Sequence, residues 1–99
     1  MNKTGTLLDV PQDRPSTRTR LRSFTREHGI LTFRSKGFTR EEEPWIAIKP
    51  IPGDESKNIG EIMADSCRLY DEAGYLATGT GELTAVRKLC ELRGITCEL

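Results

Sequence analysis

Apolar residues recur at helical spacing in three stretches of this chain and alternate in two others. In TRTRLRSFTREH, Leu21, Phe24 and His28 fall at i, i+3 and i+7, which predicts a helix over about 17–28. Ser16 is placed to cap its start and Gly29 to stop it. ILTFR (30–34) sets Leu31 and Phe33 on one side of a strand, and WIAIKPI (45–51) sets Ile46 and Ile48 opposite Trp45 and Ala47. Pro50 and Pro52 cannot donate ladder hydrogen bonds, so this second strand ends there or runs at an edge. The link between the two strands, KGFTREEEP, is long for a hairpin.

Asn58 followed by Glu61 forms a capping-box signature, and Ile59, Ile62, Met63, Ser66, Tyr70 and Ala73 then predict a helix over 58–73 that Gly74 stops. YLATGTG reads as a connector. Thr80 is expected to cap a last helix, GELTAVRKLCELR, whose Leu83, Val86, Leu89, Cys90 and Leu92 form an apolar stripe ending at Gly94. ITCEL is short and β-prone and reads as a terminal strand. The expected order is α-β-β-α-α-β. It predicts an α+β domain with two or three antiparallel strands covered by about three helices on one face. Residues 1–14 lack periodicity and read as a flexible lead, leaving one domain over 15–99. In a minor alternative, RLYDEAGYLA forms a hairpin around DEAG. IAIKPIPG and GTGELTAVRKLCEL then resemble the strand-then-helix plan of HicB-type antitoxins, over less than half the chain.

Charge changes this picture more than composition does. Lys/Arg and Asp/Glu number 15 each, so the formal charge is zero. Yet residues 1–40 hold nine basic and three acidic residues, and residues 41–99 hold six and twelve. The two parts carry +6 and −6, which is the strongest global signal in the chain. Arg18, Arg22 and Arg26, spaced by four, line a helix face away from Leu21 and Phe24, and Arg14, Arg20, Arg34, Lys36 and Arg40 add to the local field. A solvated helix face normally mixes signs and this one hardly does, so contact with phosphates or with an acidic protein surface is expected. Trp45 and Phe38 stand among these cations as candidate contact aromatics, while Phe33 shares a face with Leu31 and reads as core.

Catalytic and metal chemistry find little support. His28 is the one histidine, and it shares an apolar helix face. Cys90 lies on the last helix's apolar stripe, where a free cysteine behaves as a small hydrophobe. Cys90-x6-Cys97 is not the short pair that structural zinc prefers, and Cys67 is remote, so no metal and no cofactor are expected. With three cysteines and no secretory signal, reduced thiols and the cytoplasm are expected, and no apolar run approaches a membrane span. Glu41, Glu42 and Glu43 read as a solvated cluster. Gly79 and Gly81 before a helix could cradle a phosphate, but no lysine follows as in a P-loop, so a Gly-punctuated connector is the simpler reading.

In size, in lacking a catalytic constellation and in charge polarity, the chain resembles the small accessory proteins of phages and mobile elements. These include anti-CRISPR and other anti-defence inhibitors. The resemblance implies a non-enzymatic protein that binds a bacterial host protein or nucleoprotein complex stoichiometrically in the host cytoplasm. Arg18, Arg22, Arg26, Arg34, Lys36, Arg40 and Trp45 are its candidate binding residues. A nucleic-acid-binding regulator or antitoxin using residues 14–40 is the alternative. The oppositely charged halves also suit a second copy of the chain.

Overall fold

The computed structural model describes residues 16–36 and 41–99. Its elements are α1 (Thr17–His28), β1 (Leu31–Arg34), β2 (Trp45–Ile48), α2 (Ile59–Glu72), β3 (Leu76–Gly79) and α3 (Glu82–Arg93). The α+β class holds, with three helices and one three-stranded antiparallel sheet among the described residues. The expected flexible lead, and Phe38 and Arg40, lie outside the described residues.

The helix ends follow the expected cap chemistry. The Ser16 hydroxyl accepts from the Thr19 N–H at 3.1 Å, and Gly29 closes α1 in the left-handed region at φ 67°. Asn58 and Glu61 complete the capping box of α2 reciprocally, each at 2.9 Å. α2 bends at Ser66, whose φ of −138° lies outside the helical range. Thr80 does not cap α3. Gly81 holds the N-cap position in an extended conformation without a side-chain bond.

The third strand is not ITCEL but Leu76–Gly79, inside the stretch expected to be a connector, so the order is α-β-β-α-β-α. β3 pairs with β2 through Ala47↔Ala77 and Ile48↔Leu76, and β1 pairs with β2 through Leu31↔Ile48 and Phe33↔Ile46. β2 is therefore the central strand, and Lys49 adds one more bond to the Tyr75 carbonyl before Pro50 ends it. Residues 68–72 belong to α2, so the hairpin around DEAG does not form.

Helices cover both faces of the sheet, not one. Ile46, Ile48 and Leu76 pack on Ile62, Met63 and Tyr70 of α2. On the other face Ala47 and Ala77 meet Ala85, Val86, Leu89 and Cys90 of α3, with Leu21 of α1 joining them. Residues 95–99 form no strand, but Ile95, Cys97 and Leu99 alternate in packing inward. Their partners are the side chains of this cluster, and Arg87 holds the Leu99 carbonyl at 2.6 Å. Leu92, expected on the apolar stripe of α3, is instead 55% exposed. It lies off the face defined by Val86, Leu89 and Cys90.

The three cysteines are free thiols, and Cys90 is buried at 1% exposure. Burial, together with the neighbouring Cys97 thiol, pushes the Cys90 thiol up to about 11 from an ordinary 9.0. The folded state thus holds this proton more tightly than the unfolded chain. The contribution is intact below about pH 9 and declines as pH rises toward 11. Cys90→Ala should cost about 1–2 kcal/mol at neutral pH through a small cavity. It should also flatten the loss of stability between pH 9 and 11, measured by urea melts across that range. An unchanged alkaline slope would mean that Cys90 does not carry it.

A candidate basic interface on the first helix

α1 has two distinct sides. Leu21 is buried, Phe24 packs against the same cluster, and the Phe24 and His28 rings are in tilted contact with centroids 4.4 Å apart. Arg18, Arg22 and Arg26 are all exposed. Among the described residues none of the three forms an ion pair; the salt bridges there are Lys57–Asp54 and Lys88–Glu43. Arg20 does not share their setting, because it borders a shallow hollow with Glu27 and Glu98.

The spacing of the arginine row and its N-terminal member work against the helix that carries it, although Arg26, in the last turn, complements the helix dipole. Like charges at i, i+4 destabilise a helix by about 0.2–0.5 kcal/mol per pair. Cations in a first turn also oppose the helix dipole, and α1 has no acidic residue there. A row whose like charges repel one another and are not neutralised by their neighbours is suited to meeting negative charge from outside.

The remaining candidates fall on other elements. Arg34 and Lys36 are exposed at the far end of β1, roughly 10 Å along the strand from the α1–β1 turn. Trp45, expected as an exposed contact, is partly buried and packs against the core cluster that contains α3. Its aromatic ring serves packing there. Glu43 leaves the expected solvated cluster: it accepts from Thr78 Oγ1 at 2.9 Å and pairs with Lys88 at 3.2 Å. The Gly79–Gly81 segment is structural, since Gly79 is buried beneath α3 and Glu82 accepts from Thr32 Oγ1 at 2.6 Å.

The acidic residues of α2 are spatially separated from the row, whereas Glu98 lies on the same side of the sheet as α1, beside Arg20. α2, which carries Glu61, Asp65, Asp71 and Glu72, packs on the sheet face opposite the one that α1 and α3 cover.

A second group of cations was not anticipated from the sequence. Lys49, Lys57 and Arg93 border one cleft of about 560 Å³ together with Tyr75. Lys49 follows β2, Lys57 lies in the turn before α2, and Arg93 ends α3, so no local spacing links them. Lys49 donates to the His28 carbonyl at the end of α1. Arg93 donates to the Ala73 and Gly74 carbonyls at 3.2 and 3.4 Å, and its guanidinium lies 3.8 Å from the Tyr75 ring centroid. In the fold Lys49 and Arg93 thus sit beside the C-termini of α1 and α2, where basic side chains commonly cap the last carbonyls.

Among the described residues, no group of three or more His, Cys, Asp or Glu is placed to hold a metal ion, and no helix is long and apolar enough to cross a membrane. No protein-family model, curated protein or solved structure matches this chain.

Proposed function

We propose that this protein acts by stoichiometric binding, without chemistry of its own. On this reading the arginine row of α1 docks on an anionic surface of a bacterial host protein or nucleoprotein complex and obstructs its substrate site. That is the mode of a small phage-type inhibitor of a CRISPR-type defence complex. The observation that carries the proposal is the exposed, un-neutralised row Arg18, Arg22, Arg26. A basic patch of this kind steers association toward acidic surfaces and fixes register, and its rim charges act mainly on the association rate.

A second reading, a nucleic-acid-binding regulator, is favoured by one specific feature. The acidic α2 lies across the sheet from α1, so its carboxylates do not face a polyanion arriving at the arginine row.

One variant tests both readings. Arg18→Gln, Arg22→Gln and Arg26→Gln together should leave the fold intact, because exposed substitutions usually stay within about 0.5 kcal/mol each. Under the first reading, the wild type inhibits target cleavage by a purified CRISPR-type effector complex with a one-to-one end point. The triple variant then loses that inhibition through slower association. Under the second, the wild type shifts a DNA or RNA probe unaided. Three phosphate contacts then give a slope of log K against log salt of about −3, and the variant abolishes it. A triple variant that behaves as wild type in both assays would reduce the row to a solvated face.

A further inference from the structure

We propose that the cleft bordered by Lys49, Lys57, Arg93 and Tyr75 binds a small organic phosphate bearing a planar ring, of the nucleoside monophosphate class. This site is separate from the arginine row and does not depend on its role. The cleft's volume, about 560 Å³, lies within the range of small-molecule sites.

Its charge is unbalanced. Three cations and one carboxylate, Glu55, border it. Glu55 is exposed and already accepts from the Gly53 N–H at 3.0 Å, and Lys57 shares its charge with Asp54 at 3.5 Å. Lys49 and Arg93 bond only to neutral carbonyls among the described residues. Each caps a helix C-terminus, yet such an end carries only about half a negative charge, so net positive charge remains at both.

Donor capacity remains as well. Arg93 uses Nη1 for both its carbonyls, leaving Nε and Nη2 without an acceptor among the described residues. A guanidinium has five N–H donors in a rigid fork and an ammonium has three. A phosphate monoester offers three acceptor oxygens and nearly two negative charges, which suits a cleft bordered by cations from three separate parts of the chain. The apolar part of the wall, with Pro50 and Ile95 beside the Arg93–Tyr75 stack, is suited to hold a ring. Inorganic phosphate alone would leave that surface unused.

The test is an NMR titration of the full-length, 15N-labelled protein with AMP, and separately with adenosine and with inorganic phosphate. AMP should give saturable shifts centred on the amides of Lys49, Lys57, Tyr75 and Ile95 and on Arg93 Nε. Adenosine and phosphate should each bind about tenfold more weakly, because each forfeits one part of the contact. Arg93→Gln and Lys57→Gln should each weaken AMP by about five- to tenfold, the loss expected for one charge-assisted contact. Lys57→Gln removes no helix cap, so it reads the site even if Arg93→Gln fails to fold. The triple glutamine variant of α1 should bind AMP within about twofold of wild type. No saturable shift up to about 10 mM AMP, a level that would detect even millimolar affinity, would overturn the proposal. Shifts centred on α1, or AMP affinity unchanged in Lys57→Gln, would overturn it equally.

Discussion

Gly79→Ala is expected to destabilise the domain by about 3 kcal/mol or more, at or beyond the upper end of ordinary overpacking. A Cβ at this position would lie 2.6 Å from the amide nitrogen of Ala85 and 3.0 Å from its Cα and from the carbonyl carbon of Thr84. All three are backbone atoms, so no side chain can swing aside and α3 must shift as a body. That shift would loosen Ala85, Val86 and Leu89, each with no exposed surface. Since small domains hold only about 5–15 kcal/mol in total, the loss is a large part of the whole. Gly81→Ala is the control: an added Cβ there meets nothing within 4 Å, and N-cap glycine to alanine should cost at most about 1 kcal/mol. Urea midpoints for the two variants decide the matter. Equal midpoints would mean that α3 does not rest on β3 at this glycine.

The same close approach explains why β3 escaped the sequence reading. Strand signals depend on β-branched and aromatic residues, and LATG has only one, Thr78. Its alanine and glycine are what allow α3 to lie against the sheet, so the tertiary requirement erased the local signal. Helix ends were far more legible, because Ser16, Gly29, Asn58 and Glu61 act within a turn of their own position. The β-prone residues 95–99 do not form the expected strand: Ile95, Cys97 and Leu99 pack on the α3 cluster through side chains, and β-propensity does not say whether a neighbouring strand is available to pair. The arginine row was legible for the same reason as the caps: a spacing of four sets its exposure once the helix exists. Lys49, Lys57, Tyr75 and Arg93 meet only after β3 is placed between α2 and α3, and no spacing in the chain announces that.

Tyr70 ties the α2 core to the turn that carries Lys57, and Tyr70→Phe should cost about 1–3 kcal/mol although it removes a single atom. The ring is fully buried beside Ile46, Ile48 and Ile62. Its hydroxyl accepts from the Ile51 N–H at 3.0 Å and donates to Asp54 Oδ2 at 2.8 Å. Burial raises the phenol above its ordinary 10.0, and the adjacent Asp54 carboxylate pushes the same way against the Ile51 N–H. The hydroxyl therefore stays protonated and donating at neutral pH. Phenylalanine would leave the Ile51 amide without this acceptor and free Asp54, which also accepts from the Lys57 N–H at 2.9 Å through its own carbonyl. Local loosening of residues 51–57 should then exceed the change elsewhere. Tyr70→Ala should cost about 3–5 kcal/mol, since it also empties the ring's place in the core. Urea melts give the totals, and amide hydrogen exchange in Tyr70→Phe gives the location. Protection lost uniformly across the domain, with no excess at Ile51 or Lys57, would show that the hydroxyl does not hold this turn.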